Sequence, residues 1–250
     1  MLTNIFSFRI CIVVFVAIKV FSASKCDYDV KIAQILINDG YHRHHYRNLT
    51  YHIIFNEDSE SKGIYNGCRI GLDQYLPAGV FVNPNELNEF NRLERLNAFP
   101  RGRVNIELPT EEAEPINVFI ISELTDDEIQ MWLPVHARYH ESVSGGGMVQ
   151  YDIGPPKMYL YCADRRLDVC DRSVSPSVTL TCNGGVKMCS WRDIPYTVLT
   201  DPLVWRVPVG NSNHFYIIGI GTAFAIMVGT TMVIRAMHDH ILKHRRLIIR

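Results

Sequence analysis

Surplus charge is the first thing missing. Twenty-five lysines and arginines face 26 acidic residues, for a formal net charge of −1 over 250 residues. So neutral a chain has no basic field with which to gather nucleic acid, which excludes nucleic acid as a partner. Charged residues are only 20% of the chain against 47% hydrophobic, so it is not a disordered acidic or basic polymer. The signatures of catalysis are absent too: there is no GxSxG elbow, no Walker loop and no dinucleotide fingerprint. Asp27-Tyr28-Asp29 has the DxD shape that holds a metal-bound sugar nucleotide, yet it precedes every strand that could position it. There are no internal repeats and no low-complexity linkers.

What is present is unevenly placed. Arg9 and Lys19 give the start +2, and Arg235, Lys243, Arg245, Arg246 and Arg250 against Asp239 give the end +4, leaving −7 between them. Residues 10–18 are an apolar run of nine, too short to cross a bilayer but suited to the core of a signal peptide. Ser22 and Ser24 are small residues spaced for cleavage before Lys25, so residues 1–24 are expected to be a signal peptide. Residues 216–234 (YIIGIGTAFAIMVGTTMVI) hold 19 positions without a charge, and a helix of that length spans roughly 29 Å, the thickness of a hydrocarbon core. Basic residues stay on the cytoplasmic side. The expected layout is therefore a lumenal domain over 25–214, a transmembrane helix over 215–234 and a short basic cytoplasmic tail over 235–250. That is a single-pass type I membrane protein. Within the span Gly221, Ala225 and Gly229 recur every four residues, widened by Gly219 and Ala223, and let a second helix approach closely.

Removing the signal peptide removes Cys11 and leaves Cys26, Cys68, Cys162, Cys170, Cys182 and Cys189 in an oxidising compartment. An even count there reads as disulfides, with fifteen possible connectivities. The last four are separated by seven, eleven and six residues and lack the tight spacing of a zinc knuckle. The expected pairing is Cys26 with Cys68 and the last four among themselves. Asn48-Leu49-Thr50 is a glycosylation sequon, which places Asn48 on an exposed surface if it is used.

The domain's patterning is mainly β. Leu49, Tyr51, Ile53 and Phe55 alternate with other positions, the period of a half-buried strand. Residues 30–37, 118–122, 158–162 and 178–182 are similar runs, separated by turn residues at 66–67, 100–102, 145–147, 154–156 and 183–185. One helix stands out: Asn83 caps it, Pro84 suits its first position, Glu86 lies three residues past the cap, and Leu87, Phe90, Leu93 and Leu96 form its stripe. The expected fold is a disulfide-bonded, β-sandwich-like lumenal domain with one helix, plus the single C-terminal transmembrane α-helix.

Two histidine groups invite a chemical reading. His42, His44 and His45 crowd residues 41–46, but adjacent ligands with no orienting carboxylate read as a solvated loop. His136 and His140 are spaced as two ligands on a helix. Pro134, Val135 and Tyr139 favour a strand instead, which puts His136, Arg138 and His140 on one face. No glutamate of a zinc hydrolase accompanies them, so no catalytic residue, metal or cofactor is assigned.

Four stretches together resemble the PIG-X / PBN1 family. Residues 76–87 (LPAGVFVNPNEL) are similar to its PAG-led segment, with Asn83 where an aspartate is expected and able to cap equally well. Residues 133–140 (LPVHARYH) resemble its most distinctive run, through His136, Arg138, Tyr139 and His140. Residues 155–162 (PPKMYLYC) and 207–214 (VPVGNSNH) resemble its proline-led segment and the stretch before its membrane helix. The resemblance implies a non-catalytic, stabilising subunit of GPI mannosyltransferase I in the endoplasmic reticulum membrane. That complex adds the first mannose to the GPI precursor from dolichol-phosphate mannose. It implies a multi-spanning catalytic partner besides membrane lipid, and no cofactor. A single crossing agrees, because one helix cannot enclose two lipid-linked substrates at bilayer depth. The rival class is a cell-surface receptor or adhesion protein, with the same signal, sequon, disulfides and anchor.

Overall fold

The computed structural model describes residues 26, 28–37, 46–55, 63–170, 173 and 175–248, with side chains to 242. The expected signal peptide, Asp27 and the three clustered histidines lie outside the described residues.

Period-2 alternation builds the sheets. In β1 (Val30–Ile37) and β2 (Tyr46–Phe55), Val30, Ile32, Leu49, Tyr51, Ile53 and Phe55 are all buried on one face. β1 runs antiparallel to β2 with Ile32 opposite Ile53, and β2 pairs on its other side with β7 (Glu128–Ala137). The two-residue β4 (Val80–Phe81) extends β7, and β12 (Thr197–Val198) joins β1 in parallel, giving a five-stranded sheet in the order β12-β1-β2-β7-β4. The second sheet has six strands. It combines β3 (Arg69–Leu76), β5 (Asn97–Pro100), β6 (Ile116–Glu123), β9 (Lys157–Tyr161), β10 (Ser177–Thr181) and β11 (Met188–Asp193) in the order β10-β11-β9-β3-β6-β5. A separate ribbon pairs β8 (Gly147–Ile153) with β13 (Leu203–Val209).

One core joins all three. Leu49, Tyr51 and Ile53 from the first sheet, Ile70, Leu72 and Leu160 from the second, and Trp205 and Val207 from the ribbon share a single buried cluster. The second sheet also buries its other face, where Phe119, Ile121, Tyr159 and Trp191 form a smaller cluster. That explains the unbroken apolar run in β6, whose residues Val118, Phe119, Ile120 and Ile121 are all buried. The fold is mainly β, as its periodicity implies.

The helix α1 (Pro84–Arg92) starts as expected, with the Asn83 side chain accepting from the Asn85 amide at 3.0 Å and Pro84 in the first turn. It ends earlier than its stripe. Leu93 is its C-cap and is 47% exposed, while Glu94 turns the chain at φ 55° and returns Leu96 to the core from outside the helix. In sequence α1 joins β4 to β5, the edge strands of the two sheets.

The disulfide pairing differs from expectation. The bonds are Cys26–Cys170, Cys68–Cys162 and Cys182–Cys189, so neither Cys26 with Cys68 nor a closed set of the last four holds. The reason is sheet order. β3 and β9 are neighbours with Arg69 opposite Tyr161, which places Cys68 beside Cys162 although 94 residues separate them. Only Cys182–Cys189 is local, across the β10–β11 hairpin.

The last element, α2 (Phe215–Ile248), is 34 residues long and runs on past Arg235 through the basic segment. Its apolar span is wholly unburied by the rest of the chain and is long and apolar enough to cross a membrane.

Candidate functional site

Two of the motif-bearing segments, distant in sequence, meet at one end of the first sheet. β4 pairs with the end of β7, with Val80 opposite Ala137 and Phe81 opposite His136, so residues 76–87 lie against residues 133–140. His136 is in the strand, as the sequence implies, but β7 stops at Ala137 and Arg138, Tyr139 and His140 leave it. The three side chains His136, Arg138 and His140 then diverge instead of sharing one face.

Each makes its own contact. The His136 Nε2 lies 2.7 Å from Glu86 Oε2, and its ring is stacked on Phe81 and met edge-on by Tyr46. Glu86 therefore serves β7 rather than closing a capping box. Arg138 is 5% exposed. Its guanidinium sits 4.6 Å over Phe81, and its Nη1 donates to the carbonyls of Asn105 at 2.7 Å and Leu108 at 2.9 Å. Burial pulls this guanidinium below its usual pKa. It holds residues 101–115, a long connection with little structure of its own, against the sheet. Thr110 reinforces this by donating through its amide and its hydroxyl to the Tyr139 carbonyl, at 3.0 and 3.2 Å. The Tyr139 ring points outward, 76% exposed.

His140 turns toward the ribbon, stacking on Tyr151 with its Nε2 2.7 Å from the Tyr151 hydroxyl, and its Nδ1 is 3.5 Å from Glu111. Burial pushes the Tyr151 hydroxyl above its ordinary pKa. This contact explains Gly79. A Cβ there would lie 1.9 Å from the Tyr151 ring, so only glycine admits the tyrosine. Glu86, Phe81, Tyr151 and residues 105–111 were not legible as partners of His136, Arg138 and His140, because nothing in linear spacing links positions 11 to 55 apart.

A second constellation sits where the β domain meets α2. The turn at residues 210–214, within the fourth resembling stretch, is bound to the glycine-rich turn at 143–147. Val143 donates to the Gly210 carbonyl and accepts from Ser212, both at 3.0 Å. Asn211 Oδ1 accepts from Gly145 at 3.1 Å, and Ser144 Oγ lies 3.1 Å from Asn213 Oδ1. Phe215 then begins α2. The chain enters the helix from a fastened point, not from a slack linker.

The remaining expected site residues are dispersed. Asn48 lies within β2 between Ile37 of β1 and Pro134 of β7, half-buried, with its Oδ1 accepting from the Tyr46 hydroxyl at 3.2 Å. The sequon is therefore in a central strand rather than a loop. Gly221, Ala225 and Gly229 are exposed on α2, and a Cβ at either glycine would meet nothing within 4 Å. All six cysteines considered are in disulfides, which leaves none of their thiolates to ligate zinc.

A braced β domain joined to one helix that, among the described residues, is long and apolar enough to cross a membrane defines the class of architecture, and its sequence narrows that class to one family. Residues 39–238 match PIG-X / PBN1, and the chain belongs to that family. It is 25% identical over 217 residues to a Mus musculus protein named "GPI alpha-1,4-mannosyltransferase I, stabilizing subunit", covering 85% of this chain and 82% of that one. Proteins of Rattus norvegicus and Homo sapiens with the same name are each 24% identical over the same length. No solved structure matches the chain.

Proposed function

We propose that this chain is the non-catalytic, stabilising subunit of a GPI mannosyltransferase I in the endoplasmic reticulum membrane. The observation that carries the reading is the family match over residues 39–238, with relatives of nearly equal length named as that subunit. The geometry is in keeping with it. His136, Arg138 and His140, the most distinctive polar residues of the chain, are engaged in fastening its own loops. In this reading the enzyme's chemistry, transfer of the first mannose from dolichol-phosphate mannose to the GPI precursor, belongs to a multi-spanning partner. The chain enters the secretory pathway by a cleaved signal peptide, keeps residues 25–214 in the lumen and leaves residues 235–250 in the cytoplasm. The β domain covers the partner's lumenal loops, while Gly221, Ala225 and Gly229 admit one of its helices.

Replacing Gly221, Ala225 and Gly229 together by leucine is expected to reduce co-purification of the catalytic subunit and its steady-state abundance several-fold. The β domain's own unfolding should be unchanged, because these positions touch nothing in it. Undiminished co-purification and abundance would remove the helix from the interface.

The compartment has an independent check. In this reading Asn48 carries a glycan of the high-mannose type, and endoglycosidase H shortens the mature protein by one glycan. A complex, resistant glycan would instead favour the cell-surface receptor or adhesion class.

A further inference from the structure

Residues 101–115 arch over the outer face of the second sheet and enclose a groove of about 750 Å³ with Asp73, Asn117, Lys157 and Arg138 in its walls. Its charges are not equivalent. Asp73 is 4% exposed and already satisfied, with Arg101 Nη1 at 2.6 Å and Asn117 Nδ2 at 2.9 Å. Glu112 and Glu114 stand on the rim in water, and Lys157 also feels the Asp193 carboxylate. Arg138 differs from all of these. It is 95% buried, its Nη1 is held by two neutral carbonyls, its Nε has no acceptor, and no carboxylate among the described residues pairs with it. A buried guanidinium without a counter-charge is destabilising unless something supplies one. Carbonyls and the Phe81 face only partly do so.

We propose that this groove binds a phosphate group, with Arg138 as its fixed cation and Arg103 and Lys157 as mobile ones at its mouth. Three cations around one opening suit a phosphate better than a carboxylate, because its oxygens can accept from several donors at once and its charge exceeds one. The buried arginine gives the site its geometry. The two exposed side chains, long and flexible, can close on a ligand without rearranging the sheet. The phosphate has two possible carriers: a lipid headgroup or a soluble ion. The arching segment also reaches toward the start of α2, since its Glu111 contacts His140, and His140 shares a cleft with Val143 and Val209 beside that turn. The site lies wholly within this chain and stands whether or not the accessory-subunit reading does.

The test uses the full chain. Equilibrium dialysis in a phosphate-free detergent measures binding of radiolabelled inorganic phosphate. Native mass spectrometry of the protein released from phosphatidylcholine nanodiscs doped with phosphatidic acid measures retention of the lipid. Saturable binding is expected in at least one arm, and the arm identifies the carrier. The double variant Arg103→Gln/Lys157→Gln, both positions exposed, should keep the wild-type unfolding transition and weaken binding about tenfold or more. The proposal fails if neither arm shows saturable binding, or if the double variant binds like the wild type. Displacement of phosphate by an unphosphorylated acidic peptide as readily as by unlabelled phosphate would also overturn it, in favour of an acidic protein partner.

Discussion

Replacing Cys68 and Cys162 together by alanine lowers the unfolding free energy of the β domain by about 4 kcal/mol, well above the loss expected from the short Cys182–Cys189 loop. The bond closes 94 residues of chain, and in the chain-entropy account a long closed loop is what restricts the unfolded ensemble. Cys182–Cys189 closes only seven, and its loss should cost about 2 kcal/mol. Cys26–Cys170 spans 144 residues and encloses the second bond, so it still shortens the unfolded chain when Cys68–Cys162 is gone. Each bond partly covers for the other, so the losses from these two are not additive, and removing both should cost more than the sum of the single removals. Alanine is the better substitute because Cys68 is fully buried and a serine hydroxyl there would add an unpaired polar group. Urea unfolding of the full chain in micelles, followed through tryptophan fluorescence, measures the effect from the three tryptophans. A midpoint for Cys68→Ala/Cys162→Ala equal to that of Cys182→Ala/Cys189→Ala would show that loop length does not govern stability here.

The same bonds mark the limit of what the chain reveals before it is folded. Strands were legible where one face is buried and the other is not: the alternation of Leu49, Tyr51, Ile53 and Phe55 reports a local fact, which side of one strand meets the core. The cap at Asn83 is equally local and holds as read. Disulfide partners are a property of strand order, and order is decided by which sheets close over which core. Cys68 pairs with Cys162 because β3 lies between β9 and β6, and no spacing in the sequence encodes that neighbourhood. Strands with two buried faces, such as β6, lose the alternation altogether. The motif block divides in the same way. That His136 lies on a strand was readable from Pro134 and Val135. That Arg138 ties down residues 105 and 108, and that His140 meets Tyr151, depended on loops whose paths only the folded domain defines.

Gln74 predicts a second large effect, because it is the polar centre of an otherwise apolar interface. It is fully buried in β3, and its Oε1 accepts from Gln34 Nε2 of β1 at 3.0 Å and from the Tyr51 hydroxyl of β2 at 2.9 Å. Its Nε2 donates to the carbonyls of Tyr75 at 2.8 Å and Gly154 at 3.0 Å. One amide thus uses both donors and both acceptor sites to join the two sheets across the core. Gln74→Leu leaves the Gln34 amide and the Tyr51 hydroxyl buried without that partner, and an unsatisfied buried group costs about 1–3 kcal/mol. The variant should lose about 3 kcal/mol or more in thermal or urea unfolding. The triple variant Gln34→Leu/Tyr51→Phe/Gln74→Leu removes the stranded groups and should recover much of that loss. If the triple variant were less stable than Gln74→Leu alone, the network would be a net source of stability rather than of specificity. The phenol adds a pH signature. Burial pushes the Tyr51 pKa well above 10, so its contribution is intact below about pH 10, where both states are protonated. Above that the unfolded chain ionises and the folded one does not, and stability falls as pH rises. Tyr51→Phe should therefore show a shallower alkaline decline than the wild type.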